Sequence, residues 1–242
     1  MEIINYSHEA NCSTSAILLP MELPDFKYEK ELWQKGYEFV AGADEVGRGS
    51  FAGPVTAACV VFAANSNFQA PIFNEFSKEI IINDSKKLRP RQREKAAEWI
   101  KENALFWAIG AASVMEINKL GVGRATQTAF RRAIASCELE IDYLLVDAFW
   151  VPYLRGLSKK CQKPIKKGDC LSISIAAASI VAKVERDALM RKLSRKFKEY
   201  GWSRNKGYGT REHQEAIQKH GITKHHRKAF ISSFFSPAQF DI

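Results

Sequence analysis

No Cys-x-x-Cys pair occurs in this sequence, and its five cysteines (Cys12, Cys59, Cys137, Cys161, Cys170) fall at no zinc-like spacing. Zinc-ribbon and zinc-finger readings are therefore excluded, and an odd number of scattered thiols does not read as a disulfide framework. No apolar run approaches the roughly 20 residues that a membrane-spanning helix needs. The opening stretch MEIINYSHEANCSTSAILLP lacks a basic start, and its apolar run is short, so it does not read as a secretory signal. A cytoplasmic protein with reduced thiols and no membrane partner is expected. Internal repeats and low-complexity tracts are also missing. Acids are the minority charge, 27 Asp and Glu against 36 Lys and Arg, which leaves a net charge of +9. That excess points to an anionic partner, with nucleic acid first among them. Charge alone fits a merely soluble basic surface equally well.

What is present suffices for a sizeable core. The chain has 242 residues, 46% of them hydrophobic, which suits one large domain or one domain with a small appendage. Residues 1 to about 20 carry no period and read as an extension. FKYEKELWQKG (26 to 36) reads as a short amphipathic helix stopped by Gly36. Residues 1–35 are thus expected to form an N-terminal extension with a short helix, and 36–242 the main domain. YEFVAGAD and GPVTAACVVF (53 to 62) read as two strands joined by a glycine turn, hence a hairpin. A loop and then a helix with Pro90 in its first turn occupy 83 to 103, and a third strand follows over 104 to 114. A helix over 123 to 137 precedes a buried strand over 141 to 149. The basic stretch 159 to 169 reads as a loop or short strand. A long helix spans about 172 to 198, and a last helix spans 210 to 221. The hairpin makes this an α/β chain with a mixed rather than a purely parallel sheet.

Acids at strand ends carry the chemistry. Asp44 and Glu45 close the first strand, Asp147 closes the fourth, and Asp169 follows a KKG turn before the long helix. Side chains alternate along a strand, so Asp44 and Glu45 share a face only if the terminus is irregular. Three segments can then deliver four carboxylates to one end of a sheet, where ligands bind in open α/β folds. Such a cluster repels itself unless divalent cations neutralise it, and oxygen-only ligands suit Mg²⁺ or Mn²⁺. Two such ions about 4 Å apart activate water and stabilise a leaving oxygen in phosphodiester cleavage. Asp169 is placed equally well to cap the helix that follows it.

The blocks GADEVGRGSFAGPV, NDSKKL, LLVDAF, KKGD with SIAAASIVAKVERD, and KGYGT with HHRKAF closely resemble bacterial ribonuclease HII, the type 2 ribonuclease H. They stand in that family's order over about residues 36 to 231. The resemblance implies a ribonuclease H-like mixed sheet flanked by helices, with a helical C-terminal portion. It implies a metal-dependent endoribonuclease acting on RNA–DNA hybrids and on single ribonucleotides embedded in duplex DNA. Cleavage falls on the 5′ side of the ribonucleotide and leaves 3′-hydroxyl and 5′-phosphate ends. Asp44, Glu45, Asp147 and Asp169 match the family's four catalytic, metal-holding acids, with Mn²⁺ or Mg²⁺ as cofactor. Gly47, Arg48 and Gly49 match the turn that approaches the ribose, and Tyr208 matches the tyrosine at the ribonucleotide junction. A tight hairpin is a sufficient reason for the glycines by themselves, and an ordinary loop or core aromatic for Tyr208.

Lys86 and Lys87 resemble the family's phosphate contacts, and Arg48, Lys166, Lys167, Lys183 and Arg186 are further candidates. His213, His225 and His226 are not expected to hold metal beside an all-oxygen donor set, and Cys170 reads as a small filler. A non-catalytic hybrid binder is disfavoured, because such a protein gains nothing from acids placed beside phosphate. The sister type, ribonuclease HIII, is disfavoured by the KGYGT block and the short N-terminal segment. A monomer is expected.

Overall fold

The computed structural model describes residues 23–64 and 80–234, so the expected extension over 1 to about 20 lies outside the described residues. β1 (Val40–Val46) and β2 (Val55–Val61) form the expected antiparallel hairpin, and β3 (Phe106–Ala112) pairs antiparallel with β2. On the other edge of β1, β4 (Tyr143–Asp147) and then β5 (Gln162–Ile165) add in parallel. The result is the expected mixed sheet, five strands in the order β3-β2-β1-β4-β5.

Both faces of the sheet are covered, which explains why β2 is apolar at nearly every position. On one face Ala41, Ala43, Leu144 and Val146 pack against Ala125, Ala129, Phe130 and Ala133 of α4 (Val122–Ala135). On the other, Ala58 and Val60 meet Ala177, Ile180 and Val181 of α5 (Ile173–Ser194), with α2 (Pro90–Asn103) alongside through Ala96, Ala97 and Ile100. The first turn of α5 presses directly onto β1. A Cβ at Gly42 would lie 2.1 Å from the Ser174 carbonyl carbon, so only glycine admits the helix at this depth. α1 (Lys27–Trp33) joins the same side through Phe26, Leu32 and Trp33. No described helix is long and apolar enough to cross a membrane.

Three expectations are corrected. A helix α3 (Val114–Leu120) intervenes before α4. Its seven residues are too few to show a period, but Ser113-x-x-Glu116 is a capping box, with Ser113 N donating to Glu116 Oε2 at 2.8 Å. The long helix stops at Ser194 rather than about 198, because Phe197 turns inward onto Trp202, ring centroids 5.4 Å apart. The helix expected to be last, α7 (Arg211–His220), is followed by α8 (Lys228–Ser232) and preceded by the short α6 (Trp202–Asn205). The stretch 159 to 169 is both strand and turn: a 3-10 turn over Lys159–Cys161, then β5, then a second 3-10 turn over Gly168–Cys170.

The C-terminal helices enclose a separate cluster of Phe51, Met190, Tyr200, Trp202, Ile217 and Ile231. His213 and His226 are buried within it. Trp202 Nε1 donates to His213 Nε2 at 3.0 Å, and His226 Nε2 lies 3.2 Å from the same atom. His226 Nδ1 accepts from Thr223 N at 2.9 Å, while His213 Nδ1 faces the Tyr208 carbonyl at 2.9 Å. These partners assign two neutral rings, each donating once and accepting on its other nitrogen. Burial, then His213, pushes the His226 imidazole down to about 3. Below its ordinary value of about 6.5 the unfolded chain binds a proton that the folded ring refuses, so this pair withdraws stability as pH falls toward 3. His226→Gln should be less stable than wild type at pH 7.5. In urea unfolding that gap should narrow as pH falls to 4.5, and a constant gap would show that the pair does not titrate on unfolding.

Candidate active site

β1 and β4 are parallel neighbours, so their C-terminal ends bring Asp44, Glu45 and Asp147 to one edge of the sheet. Asp147 then fixes the fourth acid, because its Oδ1 accepts from Gly168 N at 2.8 Å and latches the turn that carries Asp169. Asp169 does not cap α5. The cap is Ser172, whose Oγ accepts from Ile175 N at 3.3 Å. Asp44 lies on the α5 side and faces Ser179, whose Oγ stands 2.9 Å from Ser85 Oγ. Its Oδ1 also accepts from Glu45 N at 2.7 Å. Glu45, one residue on, lies 3.7 Å from the Arg48 guanidinium.

The electrostatics show that the acids feel one another. Burial, then Glu45 and Asp147, raises the Asp44 carboxyl well above the usual range. Burial takes Glu45 up to about 7, with Arg48 opposing and Asp147 assisting. Burial, then Asp84 and Asp147, raises Asp169, and Lys86 partly offsets this from 3.9 Å. Among the described residues no group of three or more His, Cys, Asp or Glu side chains is already placed to hold a metal ion. The acids converge as an open cluster instead, and Glu45 Oε2 is buried without a partner. An all-oxygen, open donor set fits Mg²⁺ or Mn²⁺, which keep water and complete their shell with substrate phosphate.

Behind the acids, the glycine turn is held by two buried arginines. Gly47 has φ +87°, and a Cβ there would lie 2.0 Å from Arg186 Nε, so this glycine serves the turn and the arginine. Gly49 differs, since a Cβ would meet nothing within 4 Å, and its bare side faces open space. Arg186 was a phosphate-contact candidate, and the structure corrects this. It is buried and donates to Pro54 O, Lys206 O, Ser50 Oγ and Ala52 O at 2.9 to 3.1 Å. Arg227 donates to Gly53 O and Arg48 O at 2.9 and 2.8 Å. Burial, then Arg186, takes Arg227 down to about 9. The turn is also zipped to the KGYGT loop, with Phe51 N and Ala52 N both donating to Gly207 O.

One cleft of about 400 Å³ collects Asp44, Glu45, Gly47, Arg48, Gly49, Ser85, Lys86, Ser179, Lys183 and Tyr208. Lys183 Nζ and Arg186 Cζ lie 5.8 and 5.5 Å from the Tyr208 ring centroid. Asp187 holds Lys183 at 2.7 Å. Burial lowers the Lys86 ammonium, but Asp84, Asp169, Asp44 and Asp147 more than reverse this, so its pKa stands raised. Lys87 turns instead to Cys170 Sγ at 3.6 Å, and Lys166 and Lys167 are exposed outside the cleft lining. Sequence reasoning missed Asp84, Ser85, Ser179 and Arg227. Asp84 shapes the lysine loop by accepting from Lys86 N at 2.9 Å. A larger cavity of about 540 Å³ between α4 and residues 153–157 holds none of these acids.

A family model described as ribonuclease HII matches residues 41–234. A ribonuclease HII of Wolbachia pipientis subsp. Culex pipiens is 48% identical over 210 residues, covering 87% of this chain and 97% of that relative. One from Caldanaerobacter subterraneus subsp. tengcongensis is 45% identical over 207 residues, covering 84% of this chain and 78% of the relative. In fold, the chain is similar to the ribonuclease H2 of Pyrococcus horikoshii OT3, with a TM-score of 0.62, 24% identity, and coverage of 81% of this chain and 96% of that one. It is also similar in fold to Bst-RNase HIII solved in complex with Mn²⁺, with a TM-score of 0.60, 18% identity, and coverage of 81% and 68%.

The raised carboxyls predict a stability gain on neutralisation. In EDTA at pH 7.5, Asp44→Asn should remove the buried ionisable carboxyl and raise the thermal midpoint by about 2–4 °C per kcal/mol relieved. A lower midpoint would show that the cluster is not self-repelling.

Proposed function

The chain belongs to the ribonuclease HII family, and from that premise we propose how its acid cluster works. The protein is a ribonuclease H type 2 hydrolase that degrades RNA in RNA–DNA hybrids. In our reading it also incises duplex DNA at single embedded ribonucleotides, on their 5′ side, leaving 3′-hydroxyl and 5′-phosphate ends. The convergence of Asp44, Glu45, Asp147 and Asp169 beside the glycine turn and Tyr208 carries this reading.

The four acids hold divalent ions, Mn²⁺ or Mg²⁺, and the Mn²⁺ complex of the similar ribonuclease HIII supports that choice. Bound there, such ions supply an activated water and neutralise charge at the leaving oxygen. The chain's own groups do the rest. Lys86, salt-bridged to Asp169, places a positive charge at the cleft rim for a backbone phosphate. Arg48 and Lys183 extend the same field, and Lys87 contributes from the loop's outer side. Backbone groups from Gly47 to Gly49 meet the ribose, where the 2′-hydroxyl distinguishes RNA from DNA. The open space at Gly49 leaves that approach clear. Tyr208 stacks on the neighbouring sugar and reads the junction. The protein acts as a cytoplasmic monomer, and residues 36–242 form its catalytic domain.

Cleavage of a duplex holding one ribonucleotide, with Mn²⁺, with Mg²⁺ and with EDTA, tests the reading. Product only with metal is expected, and equal product in EDTA would overturn it. Asp44→Asn should abolish turnover while duplex binding persists, and near-normal turnover would remove Asp44 from the metal site. Tyr208→Ala should lose more activity on a single embedded ribonucleotide than on a long hybrid, because a hybrid offers many registers. One stacking contact of about 1–3 kcal/mol corresponds to about fivefold to 160-fold in rate. Equal losses on both substrates would reduce Tyr208 to general binding.

A further inference from the structure

Asp169 stands on a turn whose far side is gripped from an unexpected direction. Glu29 of α1 is fully buried, and its Oε1 accepts from Ser172 Oγ at 2.5 Å and from Ser174 N at 3.0 Å. Ser172 is the residue that caps α5, three positions after Asp169. The chain before α1 reinforces the contact, because Asp25 bridges Ser172 in parallel and its carbonyl accepts from Ile173 N at 3.1 Å. From the opposite side the same first turn of α5 rests on Gly42, two residues before Asp44. The start of α5 is therefore clamped between α1 and β1, with Asp44 on one jaw and Asp169 on the segment held. A carboxylate at the N-terminus of a 22-residue helix is favoured by the helix dipole and by its unpaired amides. Burial raises the Glu29 carboxyl nonetheless. The Ser174 side chain also faces the carboxylate and favours its charged form, without reversing the effect of burial. Burying a carboxylate costs stability, and α1 carries one here where an apolar residue would pack more simply.

We propose that Glu29 is a positioning residue for the metal site: it fixes the α5 start, and through it the distance from Asp169 to Asp44. The proposal rests on the metal-holding role given to those acids above. It extends the catalytic unit beyond residues 36–242 to include residues 25–33, although the match to the family model begins only at residue 41. Residues that orient metal ligands from behind typically change metal affinity by about 10–100-fold when replaced.

Calorimetric titration of Mn²⁺ into the full chain tests this on wild type, Glu29→Gln, Glu29→Asp and Glu29→Ala. Gln offers the same acceptor, so Glu29→Gln should bind Mn²⁺ as wild type does. Asp is one methylene too short to reach Ser174 N, so Glu29→Asp should bind about tenfold more weakly, and Glu29→Ala at least as weakly. With excess Mn²⁺, kcat on a hybrid should recover and KM for the hybrid should not change. Thermal unfolding identifies any variant that fails to fold, and Glu29→Asp carries the test if Glu29→Ala does. Wild-type affinity in a folded Glu29→Asp would overturn the proposal, as would a loss in Glu29→Gln equal to that in Glu29→Asp. Asp44→Asn separates the two readings. If it leaves Mn²⁺ binding intact, the metal-site assignment itself fails. If it abolishes binding while the Glu29 variants bind normally, only the positioning role fails.

Discussion

The burial of Asp44, Glu45 and Asp169 close to one another and to Asp147 is the constraint that the rest of the structure answers. Burial first, and neighbouring charge after it, raises the Asp44, Glu45 and Asp169 carboxyls, so the cluster opposes folding at neutral pH in the absence of cations. The fold opposes that force with directional bonds rather than bulk packing. Asp147 is tied to Gly168 N, Asp44 to Glu45 N, and Lys86 stands over Asp169. Stability is given up locally so that a site of high negative potential exists before any ion arrives.

The substrate side of the cleft is built on the opposite principle. Arg186 and Arg227 are two buried cations whose hydrogen bonds go almost entirely to backbone carbonyls of the glycine turn and the KGYGT loop. Guanidinium groups suit this task, since one planar fork satisfies several carbonyls at once. Because Arg186 bonds both Ala52 O and Lys206 O, the glycine turn and the loop that carries Tyr208 are tied into one unit. The neutral pair His213 and His226 extends the same unit into the C-terminal helices through the Tyr208 carbonyl.

Much of this was legible in the sequence for local reasons. The hairpin, the strand ends that carry acids and the proline at the start of α2 follow from period, turn residues and N-terminal preference. The four acids could be listed because each closes a strand or a turn. Their convergence could be argued only from chain topology and the family resemblance. What stayed hidden depends on partners distant in sequence. Arg186 reads as one more cation on a basic helix until the carbonyls of residues 52, 54 and 206 are seen around it. Asp169 reads as a helix cap until Ser172 is found in that place. Glu29 looks like an exposed charge on an amphipathic helix, and only the docking of α1 on α5 buries it. α3 was missed although its capping box was written in the chain, because seven residues carry too little period to notice.

The central claim is that one constellation of carboxylates, held together against its own repulsion, binds the divalent ions that drive hydrolysis. The anomalous scattering of crystals grown with Mn²⁺ tests it most directly. The account predicts a manganese peak at coordination distance, about 2 Å, from a carboxylate oxygen of Asp44. At least one of Glu45, Asp147 and Asp169 should share its shell. A crystal saturated with Mn²⁺ that shows no peak among these acids, from protein that cleaves a hybrid under the same conditions, would contradict the account.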